Sequence, residues 1–156
     1  MKTILLSFEP YWFEKMRTGQ MSYEYRKHLP EDGAMVYFYV SRPVKAITGI
    51  AHFGKREVLA DWLQKYADRG LEVIARIKDY LQDCTYACPV LEFQPTNQIS
   101  LETLKKDLPG FIVPRMYFFL DNTPLFAYLQ QNLKPTDDPI KFTHPDPIPS
   151  DQICNL

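Results

Sequence analysis

Glycine is scarce in this chain, six in 156 residues, and none of the six falls in a Walker-type or dinucleotide-binding pattern. A loop that cradles phosphate needs glycine where the backbone must approach the anion, so nucleotide hydrolysis of that kind is not expected. Cysteine is equally sparse. Cys84, Cys88 and Cys154 are odd in number and offer no disulfide framework, as in a reducing compartment. Cys84-x-x-x-Cys88 has no second pair, and His28, His52 and His144 stand far from it, so no metal and no cofactor are expected. None of Ser7, Ser22, Ser41, Ser100 and Ser150 lies in a Gly-x-Ser-x-Gly elbow, and no catalytic residue is assigned. No apolar run approaches the roughly 18 residues of a membrane span, and the N-terminus reads directly into a strand. No membrane contact and a cytoplasmic location are the resulting expectations.

What is present suits one globular domain: 46% hydrophobic and 24% charged residues, enough chain to bury a core without staples. The net charge of -1 hides an asymmetry. Residues 1–56 hold nine basic and five acidic side chains, and the remainder holds nine and fourteen. A polyanion on the N-terminal half fits that distribution, although the excess is too small to hold nucleic acid by charge alone.

Residues 2–8 read as a strand, closed by Glu9-Pro10, and a helix from Tyr11 to Thr18 stops at Gly19, with Trp12 and Met16 four apart as packing residues. A strand from Met21 to Lys27 is followed by the His28–Gly33 turn. Two strands come next, Ala34–Val40 and Lys45–Phe53, joined by a Ser41-Arg42-Pro43 turn, with Gly49 marking a bulge or a close backbone approach. Helices are predicted over Glu57–Ala67 and Leu71–Leu81, with Leu59, Leu63, Tyr66, Ile74, Ile77 and Leu81 facing the sheet. Thr85–Phe93 reads as a strand that Pro89 would confine to an edge or a bulge. Ser100 caps a helix over Leu101–Leu108, Met116–Leu120 is the last good strand, and Pro124 opens a helix over Leu125–Asn132. From Lys134 the texture changes to a tail with Pro135, Pro139, Pro145, Pro147 and Pro149. The expected organisation is a domain over 1–133 and a proline-rich tail over 134–156. The fold class is α+β, a sheet curled into an open barrel with helices inserted between strands.

The second strand carries the most chemistry. Side chains two apart share a face, so Ser22, Glu24 and Arg26 project together while Met21, Tyr23 and Tyr25 project oppositely and read as core. A guanidinium presents a planar fork to phosphate or to base acceptors, and a carboxylate accepts from an exocyclic amine. Lys27, Arg42, Lys45 and Arg115 are candidate contacts to a nucleic-acid backbone.

Gly19-Gln20-Met21-Ser22-Tyr23-Glu24-Tyr25-Arg26 resembles the Gly-x-Lys-x-x-Glu-x-Arg signature of the ASCH family, the activating signal cointegrator homology domains. The opening Ile4–Phe8 strand with Pro10, the Val36–Val44 block followed by Ile47-Thr48-Gly49-Ile50, Ile99-Ser100-Leu101, and Pro114–Leu120 resemble its other parts, over roughly residues 2 to 120. The resemblance implies a PUA-like pseudo-barrel, similar to an RNA-binding domain. Met21 stands where the family has Lys, and Glu24 where its amidohydrolase-like members have Thr. A thioether cannot move a proton, which argues against that chemistry and leaves binding intact.

The leading expectation is therefore a module without turnover that binds single-stranded RNA or a nucleobase-containing small molecule, in the service of transcription or translation. One alternative is an amidohydrolase acting on an acylated cytidine, with Glu24 or Glu92 as proton acceptor. The other is a protein-interaction domain in transcription control, meeting a protein partner through the helix near Tyr11 or the tail.

Overall fold

A computed structural model describes residues 1–144 together with Ile148 and Ile153. The chain runs β1 (Lys2–Phe8), α1 (Pro10–Arg17), β2 (Tyr23–Arg26), β3 (Ala34–Val40), β4 (Ala46–Phe53), β5 (Glu57–Val58), α2 (Trp62–Lys65), α3 (Leu71–Leu81), β6 (Tyr86–Gln94), β7 (Ile99–Ser100), α4 (Leu101–Asp107), β8 (Tyr117–Phe119), α5 (Pro124–Asn132) and β9 (Ile140–Lys141). The strands form one mixed sheet in the order β2-β6-β4-β3-β1-β8, with β5 and β9 also on β6 and β7 on β4. β1 and β3 run parallel, Phe8 beside Val40, and the other pairs are antiparallel. The result is an α+β sheet curled into a half-barrel.

Period-two alternation separates two cores. Ile4, Leu6 and Phe8 of β1 meet Tyr23 and Tyr25 of β2, Phe38, Phe93, Met16, Trp62 and Tyr80 inside the curl. Leu5, facing the other way, joins Tyr37, Tyr39 and Ile47 against Leu104 of α4 and Leu129 of α5. Ser100 caps α4, its hydroxyl accepting from Thr103 N at 3.1 Å, and Thr123 caps α5 in the same way.

Gly49 sits where the β3–β4 register shifts, at φ +82°, and a Cβ there would lie 2.9 Å from the Phe93 ring. The residue is needed both for its conformation and for lack of room.

Three expectations change. Glu57–Ala67 is not one helix: Glu57 and Val58 pair with Ala87 and Tyr86, a 3-10 turn covers Leu59–Asp61, and only Trp62–Lys65 is α-helical. The buried face of α3 is Val73, Ile77 and Tyr80, with Ile74 and Leu81 only partly buried, because Tyr80 stacks on Tyr25 at 4.0 Å. Of the edge or bulge expected at Pro89, the edge is absent, since β6 is internal; the β4–β6 register does slip between Val90 and Glu92, and Pro89 falls opposite residues 54–56, the break between β4 and β5, where the ladder lacks a partner for an N–H.

Beyond Lys134 the chain runs along β6. Phe142 N donates to Leu91 O at 3.0 Å, His144 Nε2 meets Val90 O at 2.7 Å, and Ile148 and Ile153 are buried. Pro145, Pro147, Pro149 and Cys154 lie outside the described residues.

Candidate functional site

The C-terminal ends of the parallel pair β1 and β3 meet the start of α1 and the strand β2 around a half-open hollow of about 330 Å³. Ser7, Phe8, Glu9 and Trp12 line it from the β1–α1 junction, Glu24, Tyr25 and Arg26 from β2, and Ser41 and Arg115 from two loops. Its volume is at the low end of the roughly 300–1,000 Å³ of small-ligand sites.

Ser7 organises one wall with all three of its polar groups. Its N–H donates to Met116 O at 2.9 Å and its hydroxyl to Pro114 O, so the chain is pinned on both sides of Arg115. Its carbonyl accepts from Arg26 Nη2 at 2.8 Å. Arg26 also donates through Nε to Glu24 Oε1 at 2.7 Å, and its guanidinium lies 5.5 Å from the centre of the Phe8 ring. Two of the five N–H donors of a guanidinium are thus used, and Nη1 bonds to no protein group among the described residues.

Glu24 is 5% exposed. Burial raises its carboxyl above the usual carboxylate value, and the adjacent Arg26 pulls it back only in part. Glu24 faces Cys88 across the β2–β6 ladder, and burial together with that carboxylate pushes the Cys88 thiol up to about 12. Tyr25 borders the hollow, but one face of its ring is covered by Tyr80 at an interplanar angle of 18°. Trp12 is half-buried beside Tyr11 and offers the more accessible ring system.

Of the residues singled out in the sequence, the structure brings Glu24, Arg26 and Arg115 together at this hollow. Ser22 is buried, its carbonyl accepting from Val90 N at 2.8 Å, and Lys27, Arg42 and Lys45 are exposed; none of the four lines the hollow. Met21 is packed in the apolar core, so its position holds no group that could face a ligand. Glu92 lies in β6 opposite His52 and Lys141, away from the hollow. Sequence reasoning missed Ser7, Phe8, Glu9 and Ser41, and took Trp12 as packing. The signal was the pair of parallel strand ends at Glu9-Pro10 and Ser41, a placement that depends on which strands neighbour each other. Among the described residues no group of three or more His, Cys, Asp or Glu side chains could hold a metal ion, and no helix is long and apolar enough to cross a membrane.

No family model matches the chain, and none of the curated proteins does. Solved structures do. The chain is similar to the crystal structure of ASCH from Zymomonas mobilis, with a TM-score of 0.65, 21% identity, and coverage of 87% of this chain and 99% of that one. A tyrosine-to-phenylalanine mutant of that protein gives a TM-score of 0.64 at 21% identity, covering 86% and 100%. A serine-to-alanine mutant gives 0.61 at 21% identity, covering 83% and 96%. The hollow at the strand ends is therefore built on the fold of the ASCH domain structures, an α+β sheet curled into an open pseudo-barrel.

Proposed function

We propose that the protein is a binding module that takes an unstacked base of single-stranded RNA, or a nucleobase-containing small molecule, into the hollow between β1, β2 and α1. The observation that carries this reading is the Glu24–Arg26 pair on the wall of an open concavity. A buried ion pair is a poor means of stabilising a protein, since desolvation offsets most of its attraction. Here it pre-orients a guanidinium whose Nη1 is unspent toward a recess that also holds Arg115 and the Trp12 ring. Those are the groups that phosphate, base edges and base faces need. The likeness to ASCH structures supports the reading at the level of fold.

The test is a titration of short single-stranded RNAs by fluorescence anisotropy over a range of salt. Arg115 is exposed and bonds to no protein group among the described residues, so Arg115→Ala should leave the fold intact and reduce the salt slope by about one. Trp12→Ala should weaken binding by about 1–3 kcal/mol, the worth of one base stacked on an aromatic ring. Equal affinity and slope for all three proteins would remove the hollow from the account.

One observation favours a second reading, deacylation of a modified cytidine: burial poises Glu24 above an ordinary carboxylate, as a general base requires. Absence of product on incubation with acylated cytidines would dispose of it.

A further inference from the structure

Among the described residues β8 ends the sheet and pairs on one side only, with β1. Ser7 N donates to Met116 O and Leu120 N to Thr3 O, so alternation turns the backbone groups of Met116, Phe118 and Leu120 toward β1. Those of Tyr117 and Phe119 point away from the sheet. Natural edges are blunted by lysine, proline or a bulge, and Met116-Tyr117-Phe118-Phe119-Leu120 contains none of these. Met116 and Phe119 are each 49% exposed, so the open edge is also apolar.

This edge is complementary to itself. Set antiparallel to a second copy about a two-fold axis through Phe118, Tyr117 falls opposite Phe119 of the other copy. Those two residues can then exchange both N–H···O bonds with their outward groups. Phe118 meets its own counterpart on the axis as a non-hydrogen-bonded pair, the closer kind of cross-strand contact. The same register sets Arg115 opposite Asp121, a cation against an anion at each end. Asp121 Oδ2 accepts from Thr3 N at 3.0 Å, which leaves its other oxygen for the arginine. Axes through Tyr117 or Phe119 also satisfy the backbone, but they set Arg115 against Phe119 or Asp121 against Tyr117. Charge therefore selects the central register. We infer that a second copy of this chain pairs along β8, making a two-fold dimer with one sheet running through both copies. Arg115 also lines the hollow, but the pairing of the β8 edge rests on nothing that the hollow binds, and Phe119 lies outside it.

The experiment is sedimentation velocity of the full chain over a concentration series, combined with hydrogen exchange of individual amides. The expected result is a monomer–dimer equilibrium in which the Tyr117 and Phe119 amides become protected as dimer forms, while the Phe118 amide is protected throughout. Phe119→Lys should keep the circular dichroism of the wild type and remain monomeric at concentrations where the wild type pairs. Any of these results would overturn the inference: a wild type that stays monomeric throughout, a dimer in which the Tyr117 and Phe119 amides still exchange freely, or a Phe119→Lys protein that dimerises as well as the wild type. Protection of those amides only on adding an unrelated extended peptide would assign the edge to another occupant and equally overturn it.

Discussion

Arg26 donates through Nη2 to the Ser7 carbonyl at 2.8 Å, and so joins β2 to β1 across the open side of the curl. In the sheet the two strands are separated by β6, β4 and β3. The guanidinium therefore has a structural duty in addition to facing the hollow, and it ties the strand end that pins Arg115 to the strand that carries Glu24.

Arg26→Ala should cost about 3 kcal/mol of stability at neutral pH, the usual result of leaving a buried charge without its partner. The loss should shrink in acid, because a protonated Glu24 no longer needs a cation. Urea unfolding at both pH values measures this, and an equal loss at each would separate Arg26 from Glu24.

Glu24 predicts an unusual pH profile. Burial raises its folded value above that of a free carboxyl, so in the window between the two the folded state binds more protons than the unfolded chain. Stability must then fall as pH rises through that window, the opposite sign from a salt-bridged surface carboxylate. Glu24→Gln should flatten this part of the curve. A thermal-melt series across the acid range that is unchanged in the variant would contradict the assignment.

Gly33→Ala should destabilise by about 2 kcal/mol or more, because φ is +80° and the added Cβ would lie 2.2 Å from the Phe53 carbonyl oxygen. Gly110→Ala, with nothing within 4 Å of the new atom, serves as the control in the same denaturation series.

Much of this architecture was legible wherever a local rule and the global fold agree. Ser100 is a cap by chemistry, Gly49 is required where a ring passes, and the Met21/Tyr23/Tyr25 face is as buried as its alternation implies. The misreadings arise where a distant partner overrules local propensity. Glu57-Val58 becomes a strand only because β6 is beside it, and Pro89 is tolerated centrally only because β4 and β5 leave a gap there. The site divides in the same way. The Glu24–Arg26 spacing is visible in two residues of sequence, whereas Ser7, Glu9 and Ser41 reach the same hollow through strand neighbours that no local window contains.

Strand β1 pairs with β8 so that Ile4 lies beside Phe119. A nascent chain must therefore leave the ribosome almost to its third-last element before its first strand can acquire its outer neighbour. With contacts this remote in sequence, assembly should be slow for the chain's size, and synthesis stalled before residue 117 should leave the apolar flank of β1 open to chaperones.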